Sequence, residues 1–383
     1  MSQLGYMEKL LDGVEVEWKE LGDVAAYEQP TKYLVKSKNY NNDYSTPVLT
    51  AGKTFVLGYT NETEGIYKAS ESPVIIFDDF TTANKWVDFD FKAKSSAMKM
   101  ITSTDESKFL LKYIYYYLNS LPSQDIAGDH KRQWISTFSK ISIAIPPLNI
   151  QSEIVRILDT FTELTAELTA ELTARQQQYA CYRDELLTFE EGEVEWKTLN
   201  EVCSSISAGG DLPESFIKGQ TNPTDEFPYP IYANATGDKG LYGFTDGYKI
   251  ESEAVTISAR GAKVGYHTVR QGKFTPIVRL IALVPNKGFI LTRCLNYILD
   301  MTPIAGTKGG IPQLTVPTVR KISIPVPPLD QQKRIVPILD KFDALTTSLT
   351  EGLPREIELR QQQYEYYRDL LLSFPKPEVV AHD

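Results

Sequence analysis

Residues 140–161, KISIAIPPLNIQSEIVRILDTF, recur almost intact at 321–342 as KISIPVPPLDQQKRIVPILDKF. RQQQYACYRDELLTF at 175–189 returns as RQQQYEYYRDLLLSF at 360–374, and VEVEWKEL at 14–21 returns as GEVEWKTL at 192–199. A chain written twice folds as two copies of one unit, each running from a tryptophan-bearing strand through a divergent region to Pro-Pro-Leu and a long helix. The copies are 178 residues apart at Trp18 and Trp196, 181 at Pro146 and Pro327, and 185 at Arg175 and Arg360. Small insertions therefore fell both in the divergent region and in the helix. Tyr6, Leu10 and Leu11 repeat Tyr182, Leu186 and Leu187, and again Tyr367, Leu371 and Leu372. The last helix is thus echoed by the chain's beginning, which predicts a circular arrangement with neighbouring termini and a pseudo-twofold relation between the halves.

At 383 residues the chain exceeds one ordinary core and accommodates two domains with connecting helices. No apolar run reaches the roughly 18 residues of a membrane span, and MSQLGYMEKL does not read as a signal peptide. Cys181, Cys203 and Cys294 lack metal-ligand or paired spacing, so a reduced cytoplasmic protein is expected. The net charge of −10 argues against a polyanionic partner until its distribution is considered. Eleven Asp and Glu against three Lys and Arg lie between 141 and 196, whereas 19–140 is neutral and 197–321 is basic. The divergent regions therefore permit phosphate contact.

The central helix is predicted to start near Asn149 as N-cap, with Glu153 in its first turn. Ile150, Ile154, Ile157, Phe161, Leu164, Leu168, Leu172, Tyr179, Tyr182 and Leu186 form a coiled-coil-like strip. Ile335, Ile338, Phe342, Leu345, Leu349, Ile357, Tyr364, Tyr367 and Leu371 supply a second strip, and the two helices are expected to run antiparallel. The tract TELTAELTAELTA at 162–174 adds about 6 Å of helix per four-residue unit, which marks it as a spacer. Pro337 predicts a kink, and Gly352, Leu353 and Pro354 predict a helix stop followed by a new start. The divergent regions carry short β-rich runs such as SPVIIFDDF at 72–80, with one helix near the end of each at 109–121 and 290–301. The fold class is therefore α+β, with two related domains whose sequences have drifted apart.

Catalytic signatures are weak. AGKT at 51–54 lacks the first P-loop glycine, because Pro47 stands there. IPPL at 145–148 lacks the amide and the aromatic ring that an amino-methyltransferase motif places around Pro-Pro. A metal-dependent PD-(D/E)xK nuclease could be assembled from Asp78 or Asp79 with Asp90 and Lys92, although DFDFK also reads as a plain strand. His130, His267 and His382 do not pair by spacing. A coiled-coil scaffold without any DNA role is the other alternative.

Two divergent domains separated by repeated helices, with PPL-x-x-Q-x-x-I-V-x-x-L-D at 146–159 and 327–340, resemble the specificity subunit of type I restriction-modification systems. The Thr-Ala-Glu-Leu tract and the RQQQY and YYRD helix ends are similar to the type IC group. The resemblance implies target recognition domains at 18–147 and 191–328, spacer helices at 148–190 and 329–374, an N-terminal helix-end segment at 1–17 and a tail at 375–383. It implies that each domain reads one half of a split site in double-stranded DNA. The helices would set the gap and dock two modification subunits, and restriction (motor) subunits would join that core. No catalysis and no cofactor are expected on this chain; S-adenosylmethionine, ATP and Mg2+ would serve the partners.

Side-chain type and loop position nominate DNA contacts, since Arg, Lys, Asn and Gln can read base edges or hold phosphate. In the first domain these are Lys53, Thr82, Asn84, Lys85, His130, Lys131, Arg132 and Gln133. In the second they are Asn234, Lys239, Arg260, Lys263, Arg279, Lys308 and Gln313, with SARGAKVG at 258–265 the best single loop. The glycine-rich 306–314 segment has no counterpart in HKRQW at 130–134, so the two domains are expected to dock differently. Tyr179, Tyr182, Leu186, Tyr364, Tyr367 and Leu371, on acidic aromatic-rich helices, suit a protein partner.

Overall fold

The computed structural model describes residues 9–52, 54–121, 132–306, 311–348 and 351–375, except for the side chains of Asp238 and Lys239. The chain divides into unit 1, Met1–Thr169 with Glu356–Asp383, and unit 2, Ala170–Arg355. The division runs through helices rather than between them. Each unit therefore holds one divergent region together with helical pieces of both repeats.

Unit 1 contains β1 (Glu17–Glu20), β2 (Ala25–Glu28), β3 (Thr46–Leu49), β4 (Val56–Thr60), β5 (Val74–Asp78), β6 (Asn84–Val87), β7 (Lys92–Ala93) and β8 (Met98–Ser103). These are followed by α1 (Leu111–Ser120), α2 (Gln133–Ser136), β9 (Ser142–Ile145) and the first half of α3 (Leu148–Leu187). One sheet has the order β2-β8-β5-β6, a second β4-β3-β7, and β1 pairs with β9. Every residue of β5, VIIFD, is buried, as a central strand covered on both faces requires. Its alternation divides the domain into two cores. Ile75 and Phe77 face the core shared with α1 and the long helices, while Val74 and Ile76 face a core with Leu49, Phe91 and Met100. Each such side chain contributes on the order of 2 kcal/mol.

Unit 2 contains the second half of α3, then β10 (Glu195–Thr198), β11 (Cys203–Ala208), β12 (Phe216–Lys218), β13 (Tyr229–Tyr232), β14 (Leu241–Thr245), β15 (Ala254–Ser258), β16 (His267–Arg270), β17 (Thr275–Pro276) and β18 (Leu280–Pro285). After them come α4 (Thr292–Met301), β19 (Ser323–Val326), α5 (Leu329–Thr347) and the start of α6 (Leu353–Leu371). Its sheets are ordered β11-β18-β15-β16 and β12-β14-β13-β17, with β10 paired to β19. Apart from the added β12, this is the strand order of unit 1. The parallel pairs recur as well, β3 with β7 and β13 with β17. Two sequences that have drifted apart keep one topology.

The PPL-x-x-Q motif explains how each helix is anchored. Gln151 is fully buried; its Nε2 donates to the carbonyls of Lys108 and Pro146, both at 2.8 Å, and its Oε1 accepts from the Leu110 N–H at 3.0 Å. Gln332 repeats this with Phe289 at 2.8 Å, Pro327 at 2.7 Å and the Leu291 N–H at 2.8 Å. One amide thus ties the start of a long helix to the start of the preceding short one and satisfies backbone groups that burial would otherwise orphan. The helix begins at Leu148, one residue before the expected Asn149 cap, because the Pro147 carbonyl already accepts from Ile150 and Gln151. A second repeated tie joins Tyr116 to Asp159, and Tyr297 to Asp340 at 2.5 Å with Arg293 donating to the same carboxylate.

Each unit is closed by the helix end of the other repeat. In unit 1, Ile154, Ile157 and Leu158 share a core with Leu371, Leu372 and Phe374, and Phe161 stacks on Tyr367 at 5.3 Å. In unit 2, Ile335 and Leu339 share a core with Leu187, and Phe342 meets Tyr182 at 5.4 Å. Leu10 and Leu11 pack on the same core as Leu371 and Leu372, so the two ends of the described chain meet in unit 1. This is the physical content of the circular repeat.

The unit boundary at Thr169 and Ala170 falls inside the Thr-x-Glu-Leu tract, within a continuous helix. Thr162, Thr165 and Thr169 each donate their hydroxyl to the carbonyl four residues back, which satisfies these β-branched residues without breaking the helix. The interruption expected at Gly352 is present between α5 and α6, and a Cβ there would lie 2.5 Å from the Ala344 carbonyl. α5 continues through Pro337.

Candidate nucleic-acid interface

In unit 1 the strand pairings carry three connections to one end of the domain. β5 and β8 pair with Asp78 opposite Met98, which sets the β5–β6 turn beside the β7–β8 turn. β3 and β7 run parallel with Leu49 opposite Ala93, and Lys94 N–H donates to Leu49 O at 2.9 Å, so the β3–β4 loop joins them. The start of α2 lies at the same place, for Gln133 N–H donates to Asp79 O and Trp134 N–H to Asp79 Oδ1, both at 2.8 Å. The Asp79 carboxylate lies 3.5 Å from Lys99 Nζ, with both side chains 1% exposed. Lys99 Nζ also sits 4.5 Å from the Tyr27 ring centre. A buried ion pair therefore underlies this loop cluster.

Unit 2 gathers the equivalent connections around the β15–β16 loop, residues 259–266. Asn234 of the β13–β14 loop donates to Arg260 O at 2.9 Å, Ala259 N–H donates to Arg279 O at 2.9 Å, and Gly261 N–H donates to Pro312 O at 3.0 Å. Leu314 N–H returns to Ala259 O at 2.8 Å. Gly261 and Gly265 adopt positive φ, which lets this loop fold back on itself. Lys263, Arg279 and Gln313 are exposed and Arg260 is half-buried. Among the described residues, the charged ends of Arg260, Lys263 and Arg279 meet no carboxylate, so their positive charge stays uncancelled at the loop surface.

The nominated residues fall on corresponding connections of the two units. Thr82, Asn84 and Lys85 lie on the β5–β6 turn and strand as Arg260 and Lys263 lie on the β15–β16 loop. Among the described residues, Thr82 and Arg279 are the non-glycine positions with positive φ, +62° and +71°; Thr82 sits on the β5–β6 turn and Arg279 on the β17–β18 connection, whose backbone bonds to the β15–β16 loop at Ala259. Arg132 and Lys85 are exposed. Gln133 is not: it is 7% exposed, and its Oε1 accepts from Thr137 at 3.3 Å, so the structure gives it to packing. Asn234 likewise holds the Arg260 backbone rather than projecting outward. Lys53, His130, Lys131 and Lys308, and the side chain of Lys239, lie outside the described residues. Sequence reasoning passed over exposed apolar residues on or beside the same connections, Phe80, Ile135, Val278 and Ile311. Their signal is a large apolar side chain beside turn residues.

The helix residues nominated for a protein partner are turned largely inward. Leu371 is fully buried, Tyr364 and Tyr367 pack on the unit 1 core, and Tyr179 and Leu186 on that of unit 2. Burial pushes the Tyr179 and Tyr364 phenols up to about 12. Tyr182 remains 39% exposed. The reason is the circular repeat, which consumes each helix end in closing a unit.

The nuclease constellation does not assemble. Asp90 is held by Lys68 at 2.7 Å and by Ser70 at 2.6 Å, an arrangement that lowers its carboxyl to about 2. Lys92 is buried against Glu62 and the Glu64 carbonyl, while Asp79 pairs with Lys99. Among the described residues, no three His, Cys, Asp or Glu side chains converge as a metal site, and no helix is long and apolar enough to cross a membrane.

Known proteins share this design. The family model for the type I restriction modification DNA specificity domain matches residues 13–175 and again 191–359. The specificity subunit of the Escherichia coli type I restriction enzymes EcoR124I and EcoR124II is 52% identical over the full length of both chains. A putative type I restriction enzyme specificity subunit of Haemophilus influenzae is 31% identical over 96% of this chain and 98% of its own. Among solved structures, the S subunit of a type I restriction-modification system from M. genitalium superposes with a TM-score of 0.66 at 16% identity, covering 95% of this chain and 98% of that one. At that identity the likeness speaks to the fold alone. With two matched domains and a full-length relative at 52% identity, the chain belongs to the family of type I restriction-modification DNA specificity subunits.

Proposed function

We propose that each unit's loop cluster reads one half of a bipartite site in double-stranded DNA, and that the chain recognises sequence without performing chemistry. The observation that carries this is the convergence of the same connections in both units, with Arg260, Lys263 and Arg279 uncancelled at the unit 2 surface. Uncancelled guanidinium and ammonium groups attract phosphate, and the same groups can bond guanine edges. The acidic helices serve protein partners: two modification subunits and the restriction subunits. Those partners would use S-adenosylmethionine, ATP and Mg2+, in the cytoplasm. The Thr-x-Glu-Leu tract, lying where the chain passes from one unit to the other, sets the gap between half-sites.

The test is binding of the reconstituted methyltransferase to duplexes bearing its site, mapped first by methylation sequencing. Reversing charge with Arg260→Glu and Lys263→Glu is expected to abolish specific binding and to flatten the salt dependence by about one unit of slope per lost phosphate contact. Unchanged affinity and unchanged slope would refute the assignment. Exchanging residues 19–140 for those of another specificity subunit is expected to change one half-site and leave the other.

A further inference from the structure

We propose that His267 is a positioning residue for the second half-site, holding the 259–266 loop in its reading conformation as an imidazolium. Oxygen atoms surround both ring nitrogens. Nδ1 lies 3.0 Å from Gly265 O, while Nε2 lies 3.2 Å from Asn296 O and 3.2 Å from Asp300 Oδ1. All three partners are carbonyl or carboxylate oxygens. A neutral imidazole offers one N–H and would turn a lone pair toward one of them; the cation offers two. The ring is 9% exposed, so water does not substitute readily for a lost partner.

The bonds join the elements that matter. Gly265 closes the loop bearing Arg260 and Lys263, whereas Asn296 and Asp300 belong to α4 in the core of unit 2. His267 therefore fixes the loop to the domain body. Around it, Asp300 is the charged group in contact. Arg293 of α4 is engaged with Asp340 and Asp343, and Tyr179 of α3 interacts with Asp300. β15 beside it carries no ionisable group, and on the loop Tyr266 OH accepts from Gly237 N–H. Burial pulls the imidazolium down, but Asp300 and the two carbonyls outweigh it, leaving the group above its ordinary value.

Unit 1 provides an internal control. Asn84 opens β6 as His267 opens β16, and Asn119 is the ninth residue of α1 as Asp300 is of α4. There Asn119 Nδ2 donates to Asn84 Oδ1 at 3.0 Å and to Tyr115 O at 2.8 Å. The same bridge is built from neutral amides in one unit and from a titratable pair in the other. Through this bridge the second half-site is linked to pH. Because the folded group titrates above its unfolded value, loop order is complete in mild acid and falls as pH rises through the folded value.

This rests on the reading that the 259–266 loop faces DNA, and the experiment separates the two. Affinity of the reconstituted methyltransferase for its site is measured from about pH 6 to about pH 9, with melting of the protein followed in parallel. Wild type is expected to lose roughly tenfold in affinity, the scale of one charge-assisted bond. The double variant His267→Asn with Asp300→Asn, which installs the unit 1 pair, is expected to hold within about twofold. Parallel profiles for wild type and double variant would overturn the proposal. Should that variant fail to fold, Asp300→Asn alone is expected to move the transition to lower pH, and an unmoved transition would overturn it equally. If the charge reversals at Arg260 and Lys263 leave binding intact, the DNA reading fails. The pH dependence of melting then still shows whether His267 is the cation described.

Discussion

Removal of the carboxylate beneath the unit 1 loops distinguishes a structural ion pair from a spare acidic residue. Asp79 and Lys99 are each 1% exposed and 3.5 Å apart, and neither Asp79 Oδ2 nor Lys99 Nζ has a hydrogen-bond partner among the described residues. Asp79→Ala leaves an unpaired buried ammonium, at a cost of about 3–5 kcal/mol. It also orphans the buried Trp134 N–H, which costs about 1–3 kcal/mol more. The losses share one site and do not simply add, so a destabilisation of about 4–6 kcal/mol is expected, a large fraction of a domain's usual 5–15 kcal/mol or so. Replacing both charges by apolar residues, Asp79→Leu with Lys99→Met, removes the uncompensated ammonium and is expected to recover most of the loss, to within about 2 kcal/mol of wild type. Denaturant unfolding followed by tryptophan fluorescence suits this measurement. Trp18, Trp86 and Trp134 lie in unit 1, and Trp134 is 1% exposed, whereas Trp196 of unit 2 is 63% exposed. An Asp79→Ala effect below about 1 kcal/mol, or a double variant as unstable as the single, would refute the account.

Gln332→Leu is expected to destabilise unit 2 by about 3 kcal/mol by orphaning Leu291 N–H and two carbonyls, with Gln151→Leu costing a similar amount in unit 1; calorimetry showing losses under about 1 kcal/mol would contradict the anchoring role. Deleting one Thr-Ala-Glu-Leu unit shortens the helix by about 6 Å and turns its C-terminal part by about 40°. At about 3.4 Å per base pair, the recognised gap is expected to shrink by one or two pairs while both half-sites persist. Methylation sequencing that returns the original gap would count against the spacer role.

The doubled PPL-x-x-Q motif was legible as the start of a helix, yet the reason for its glutamine was not. Pattern reading put a spacer helix at 148–190, where the helix observed is Leu148–Leu187, and the break at Gly352, because apolar spacing and helix-stop residues are local signals. The same strip named Tyr364 and Leu371 as partner-facing, whereas they close unit 1. Periodicity says that a face is apolar but not what covers it. Gln133 shows the corresponding failure for polar residues, since an amide reads the same whether it reaches for a base or for Thr137.

The sequence alone determined that there are two copies of one fold, that they are circularly joined, and that the acidic charge gathers in the shared helices. Those properties are written in order and composition, which survive without coordinates. Tertiary structure decided which loops meet, because β3–β7 and β5–β8 pair residues far apart along the chain, such as Val48 with Lys92 and Ile75 with Ile101. It also decided that His267 stands among oxygens while its counterpart Asn84 faces an amide. A side chain's protonation and its hydrogen bonds depend on neighbours brought from distant parts of the chain, and only the folded backbone supplies them.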